Sequence, residues 1–277
     1  MSVEIRIEPA TASVGANVRG LDLSQPLDNA TVRTLRAALV DHLVLFFRDQ
    51  PMLSVDEHVR FAHYFGEIDL PLFRTKSSER PEVLVLDQVA PKGEGADSWH
   101  ADNTYMETPP MGSILQARML PNVGGDTCFA SMYAAYEALS GPMQRFLESC
   151  TAIHDSGKAH TWRQRAADRA DMEFPRSEHP VVTVHPQSGR KVLFVNRGFT
   201  TRIPQLRREE GDALLEMLFR HVEKPEFHCR FKWQPGSIAF WDNRCAQHHA
   251  MWDYHPLRRY GHRVTICGEK PIAALAS

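Results

Sequence analysis

The amino-acid sequence predicts a mostly β, α+β chain: a β-sandwich or jelly roll with helices packed outside it. Three observations predict this. Many short apolar segments of strand length are separated by turn residues. Only four segments carry helical spacing, and no repeat or low-complexity tract interrupts the pattern.

The elements follow in order. Val3, Ile5 and Ile7 alternate with Glu4, Arg6 and Glu8, the period of a half-buried strand. Gly15 and Gly20 bracket a second short strand, Ala16 to Arg19. From an Asp28 or Asn29 cap, Val32, Leu35 and Leu39 recur at helical spacing. Val44 to Phe47 is a continuous apolar run, expected of a buried strand. Ser54 to Glu57 is a capping box for a helix carrying Val59, Ala62 and Phe65 that stops at Gly66. Val83 to Leu86 reads as a strand and Lys92 to Ala96 as a loop, followed by strands at Trp99 to Thr104 and Ser113 to Arg118. Tyr133 to Leu147 reads as one helix, with Tyr136, Leu139 and Met143 on a face. Residues 156–176 are charged and poor in large apolar side chains, which predicts a lid or insertion. Val181 to Val184 and Val192 to Val195 form a hairpin across Gln187 to Gly189, and Arg208 to Val222 is an amphipathic helix. Strands at His228 to Trp233, Ser237 to Trp241 and His262 to Cys267 complete the set.

The 277 residues fit one elaborated domain, 1–277, as well as two. With 32 basic and 34 acidic residues the net charge is −2, so neither nucleic acid nor an anionic membrane is expected as a partner. No apolar run approaches the roughly 20 residues of a membrane helix. The N-terminal segment lacks the pattern of a secretory signal. The five cysteines are unpatterned, which points to reduced thiols in a cytoplasm. Cys128 and Cys267 lie in apolar runs and are expected in the core.

Most of the fourteen histidines read blandly. His42, His58, His63 and His221 fall on helices and are expected at the surface or an interface, and His179 and His185 precede prolines and read as turn residues. His100 and Asp102 differ. Two apart on a strand, they project to the same face, so an imidazole and a carboxylate converge. One more ligand completes a facial 2-His-1-carboxylate site, which leaves coordination positions on Fe(II) open to a cosubstrate and O₂. His248 and His249 are the candidates, and adjacent residues of an extended chain face opposite ways, so only one serves. Arg259 and Arg263, four apart on a predicted strand, share a face and suit a cavity that takes carboxylates.

Trp99-His-Ala-Asp102, Gly124-Gly-Asp-Thr127, Trp241-Asp-Asn243, Gln247-His248 and Arg259-x-x-x-Arg263 together resemble the TauD/TfdA family of Fe(II)- and 2-oxoglutarate-dependent dioxygenases, and most nearly its taurine dioxygenase branch. The resemblance runs from Gly15 to Pro271, and Val195 to Ile203 and His262 to Ile266 are also similar to that branch. It implies a double-stranded β-helix, a jelly-roll core with flanking helices. It implies His100, Asp102 and His248 as catalytic iron ligands, choosing His248 over His249. Thr127 would bond one 2-oxoglutarate carboxylate and Arg259 the other. Arg263 would hold the acidic head of a small anionic substrate, with Phe199 and Trp241 as apolar walls. Relatives of this kind are often homo-oligomers, dimers or tetramers.

Taurine-specific members share a His and a Tyr after Phe-Gly-Glu and an Asn before the His-x-Asp. Here the segment after Glu67 is Ile68 to Arg74, with neither, and Ala96 to Ser98 holds no Asn. A pocket without those donors is expected to bind taurine poorly. Leu70, Leu72 and Phe73 suggest a larger, more apolar body: a longer alkyl sulfonate, an alkyl sulfate ester or an aryloxyalkanoate; Arg74 reads first as a solvated loop arginine and second as a further anion contact. A non-catalytic metal-dependent jelly-roll sensor or binding protein, and a zinc hydrolase on the same ligands, are the rival readings. Both leave Thr127 and Arg259 without a role.

Overall fold

The structure, a computed structural model, describes residues 4–71, 80–89, 98–158 and 173–274. Its largest sheet has eight described strands. Across the sheet they run Arg6–Pro9, Ala16–Arg19, Val44–Phe47, Ile238–Asp242, Gly112–Met119, Arg258–Ile266 and Ile68–Asp69, and Val83–Val89 also pairs with Arg258–Ile266. Facing it is a smaller sheet, with Thr127–Ser131 between His228–Phe231 and Ala246–Ala250. Two further three-stranded sheets are built around Val182–Val184 and Thr151–Asp155. Among the described residues all strand pairings are antiparallel except that of Ala16–Arg19 with Val44–Phe47.

Two cores explain why the central strands do not alternate apolar with polar. Val44 and Phe46 enter the core between the two facing sheets, whereas Leu45 and Phe47 enter the core beneath the helices. Ala239 and Trp241 share the first core, Ile238 and Phe240 the second. A strand covered on both faces has apolar side chains at every position. Between the sheets, Phe46 stacks on Phe231 with ring centroids 4.1 Å apart, and Phe129 bridges Phe46 and Trp241 at 5.7 and 5.8 Å. Helices Asn29–His42 and Val55–His63 cover the outer face through Leu35, Leu39, Val59 and Phe61. They start where the capping residues predict, at Asp28 and at the reciprocal Ser54–Glu57 box. The arrangement is the expected jelly-roll core with flanking helices.

Several local expectations are corrected. Trp99 to Thr104 is no strand: His100 makes a single bridge, and the chain then turns, with Asn103 in the left-handed region at φ 52°. Tyr133 to Leu147 is two helices, Met132–Glu137 and Gly141–Glu148, because Ser140-Gly141-Pro142 restarts the helix. His179 lies in the strand Arg176–Pro180, and both it and His185 are buried. His58 and His221 are buried too, each bonded to a backbone carbonyl of another element, Ile114 and Ala135. Cys267 is exposed, one residue past the end of the strand Arg258–Ile266, and Cys128 is half-buried within Thr127–Ser131. All five cysteines are free thiols. Of the predicted lid, residues 159–172 lie outside the described residues, as do Leu72, Phe73, Arg74 and the Lys92 to Ala96 loop. Among the described residues no helix is long and apolar enough to cross a membrane.

Candidate active site

The strand Ala246–Ala250 forms one wall of the site. His248 exchanges backbone hydrogen bonds with His100, at 2.8 and 3.1 Å, which brings the two imidazoles to a centroid separation of 4.3 Å. The turn after His100 then carries Asp102 between them. Asp102 Oδ1 lies 3.8 Å from His100 Nε2 and 4.0 Å from His248 Nε2. The three ligand atoms lie within 4.8 Å of one another, a spacing at which they could hold one metal ion. His249 turns the other way, towards the Trp99 ring at 5.7 Å.

The surrounding groups orient these side chains. His100 Nδ1 donates to the Ser98 carbonyl at 2.7 Å, which leaves Nε2 with its lone pair facing Asp102. Gly198 lets the His100 segment approach, because a Cβ there would stand 2.8 Å from His100 Cβ. Asp102 accepts from Ser113 Oγ at 3.2 Å and from Arg263 Nη1 at 2.9 Å. Burial alone would raise its pKa, but Arg263, His248 and His100 outweigh that and hold it well below the usual carboxylate range. The Asp102 peptide is clamped by Asn243, whose Oδ1 accepts from Asp102 N at 2.6 Å while Nδ2 donates to the Asp102 and Pro110 carbonyls at 2.9 and 3.1 Å.

Arg259 and Arg263 project from the strand Arg258–Ile266 to the same side, as the four-residue spacing predicts. Arg259 is 8% exposed and its Nη2 donates to Thr127 Oγ1 at 3.3 Å. Arg263 Nε is buried and meets no protein acceptor among the described residues. Trp241 packs its ring 4.9 Å from that of His248, and Phe199 stands edge-on to His100 at 5.8 Å. Phe199 belongs to an apolar cluster with Tyr105, Met106 and Phe174.

Three features escaped the sequence reading. Asn243 stood within a motif but had no assigned role. Trp233, which donates to Thr127 Oγ1 at 3.0 Å, carried no local signal. The third is a second buried group, His185, Asp242 and Cys245, also within 4.8 Å. There Arg244 and His185 both bond Asp242 and lower its pKa to about 2 against the effect of burial. Burial pushes the Cys245 thiol well up. With a guanidinium already balancing the carboxylate, this group holds the turn that presents Asn243.

Comparison with known proteins identifies the family. The family "Taurine catabolism dioxygenase TauD, TfdA family" matches residues 6–265. An α-ketoglutarate-dependent sulfate ester dioxygenase from Pseudomonas putida is 36% identical over 98% of this chain and 92% of its own. An alkylsulfatase from Acinetobacter baylyi is 33% identical over 98% of this chain and 87% of its own. The crystal structure of a putative α-ketoglutarate-dependent taurine dioxygenase from Burkholderia xenovorans superimposes with a TM-score of 0.86 at 37% identity, covering 98% of this chain and 95% of that one. The chain belongs to the taurine catabolism dioxygenase TauD, TfdA family, as a dioxygenase dependent on 2-oxoglutarate (α-ketoglutarate).

Proposed function

We propose that the chain binds Fe(II) through His100, Asp102 and His248 and oxidises a small anionic alkyl sulfate ester or alkyl sulfonate. The observation that carries this is the convergence of two imidazole Nε2 atoms and one carboxylate oxygen beside the buried Arg259 and the half-buried Arg263. Nitrogen, nitrogen and oxygen donors on one side of an ion suit ferrous iron and leave positions for a chelating keto acid. Bound there, iron supplies oxidative chemistry: O₂ and 2-oxoglutarate are converted to succinate and CO₂ while one oxygen atom enters a substrate C–H bond.

The chain's own groups do the rest. Arg259 and Thr127 stand together, so one carboxylate of 2-oxoglutarate reaches both; their separation of 3.3 Å replaces the expectation that they serve opposite ends. Arg263 presents a buried, unengaged Nε to the substrate's anionic head. Trp241 and Phe199 wall the ligand group and exclude water. Phe199, Tyr105, Met106 and Phe174 favour an apolar substrate body. When the hydroxylated carbon bears the sulfate oxygen, its new O–H loses a proton, the C–O bond to sulfate breaks, and an aldehyde and sulfate leave. Similarity to the sulfate ester dioxygenase and the alkylsulfatase favours the ester over taurine. One domain over the chain and a homo-oligomeric state belong to the same proposal.

The test is a panel of alkyl sulfates, alkyl sulfonates and aryloxyalkanoates with Fe(II), 2-oxoglutarate and O₂. Stoichiometric succinate, aldehyde and sulfate from an alkyl sulfate is the expected result. Sulfate release without O₂ would instead indicate a zinc hydrolase, and keto-acid binding without succinate a sensor. Anaerobic addition of 2-oxoglutarate to the Fe(II) protein should produce a weak visible band that Arg259→Ala removes.

A further inference from the structure

The hydroxyl of Thr127 has an unusual set of partners. Its oxygen accepts from Trp233 Nε1 at 3.0 Å and from Arg259 Nη2 at 3.3 Å. An indole N–H and a guanidinium can only donate, and a hydroxyl oxygen has two acceptor sites and one hydrogen. Both acceptor sites are therefore filled. Among the described residues neither bond uses the hydroxyl's own hydrogen. Thr127 is buried at 4% exposure, so water is a poor substitute for a missing acceptor.

We propose that Trp233 is a positioning residue of the 2-oxoglutarate site: its indole N–H and Arg259 lock Thr127 as an obligate hydrogen-bond donor, which selects a carboxylate over a carboxamide. The inference rests on the reading of Thr127 and Arg259 as the cosubstrate's carboxylate site. A carboxylate offers acceptors only and takes both the Thr127 hydrogen and the arginine fork. A primary amide would turn N–H hydrogens towards groups that have no acceptor left. Trp233 is itself held firmly. It follows the strand His228–Phe231, is 6% exposed, and meets the Phe231 ring edge-on at 4.8 Å. The Arg259 guanidinium lies 5.2 Å from the centre of its ring, so one indole sets both partners of the carboxylate.

The test measures 2-oxoglutarate binding to the Mn(II)-loaded protein by calorimetry, with thermal midpoints to confirm folding. Trp233→Phe keeps the ring and removes the donor. It should weaken 2-oxoglutarate about ten-fold and shrink the preference for 2-oxoglutarate over its 5-carboxamide, because the freed oxygen of Thr127 can then accept from an amide. Thr127→Val should weaken binding similarly, and the double variant should be no worse than either single one. Unchanged affinity in Trp233→Phe, or additive losses in the double variant, overturns the inference. If Arg259→Ala still weakens binding, the cosubstrate reading survives that result. If Arg259→Ala and Thr127→Val both leave affinity unchanged, the cosubstrate reading falls and takes this inference with it. A second measurement does not depend on Trp233→Phe folding. In Zn(II)-loaded protein with nitrogen-labelled tryptophan, Thr127→Val should move one indole N–H resonance upfield. No such shift overturns the assignment.

Discussion

His248 and His249 differ only in which side of one strand they leave, and that difference decides which of them can join the proposed metal site. His248 reaches Asp102 at 4.0 Å, whereas His249 faces Trp99 across the strand. His248→Ala should therefore lower Mn(II) affinity by more than about 100-fold, beyond what changes to outer-shell partners produce. His249→Ala should stay within about three-fold of wild type, well inside that range. Equilibrium dialysis reads both, and the opposite order would exchange the two residues in the site. At this scale the sequence is unusually legible. The chemistry of a ligand set demands particular side chains, so His100, Asp102, Arg259 and Arg263 stand out as candidates in the sequence, and the family resemblance adds Thr127. Trp233 and Ser113 cannot, because an indole or a hydroxyl has many uses and its partner is set by the fold. His58, His185 and His221 mislead for the same reason, since the groups that satisfy them lie 56, 57 and 86 positions away in the chain.

The turn joining Ile238–Asp242 to Ala246–Ala250 links one sheet of the jelly roll to the other. Asp242 anchors it through Arg244 and His185, and Asn243 extends from it to hold the Asp102 peptide. Asn243→Ala would leave a buried N–H and C=O at Asp102 unpaired. Metal affinity should fall by about 10- to 100-fold, the effect of removing a partner that orients a ligand. Asn243→Asp restores the acceptor but not the donor, so it should lie between Asn243→Ala and wild type. A chelator-competition titration orders the three proteins, and equal affinities would show that Asn243 does not position Asp102. Elements were legible where local physics suffices, as in the Asp28 cap, the Ser54–Glu57 box and the doubly covered Val44–Phe47 strand. They were not where function replaces the apolar pattern. Ala246–Ala250 carries Gln247, His248 and His249 because it lines the site, and no alternation of hydrophobicity announces it. The segment around His100 and Asp102 makes the converse case. The pair converges as predicted, but through one bridge and a left-handed turn at Asn103 rather than through a strand.

Across the whole molecule, several histidines are buried in the neutral form, and this sets how the fold responds to acid. Burial is the main cause in each. It lowers the pKa of His58 from 6.5 to about 3 and of His262 to about 4, and it moves His154, His179 and His228 in the same direction. Each of these groups binds its second proton more readily in the unfolded chain. Their contribution to stability is thus complete above about pH 6.5 and is lost as the pH falls towards 4 and then 3. His58 is the cleanest case. Its Nε2 donates to the Ile114 carbonyl at 3.1 Å, while Nδ1 is buried without a partner, so a proton there would have no acceptor. One such histidine makes stability fall by about 1.4 kcal/mol for each pH unit below its unfolded value. His58→Gln keeps an N–H for Ile114 but cannot titrate. Urea unfolding between pH 6.5 and 4.5 should show this variant losing stability less steeply than wild type, by about 1.4 kcal/mol per pH unit. Its stability near neutral pH should be lower, because a flexible amide fills the imidazole's place less well. Parallel curves for the two proteins would mean that His58 takes up its proton in the folded state. The burial between helix Val55–His63 and strand Gly112–Met119 would then not be keeping it neutral.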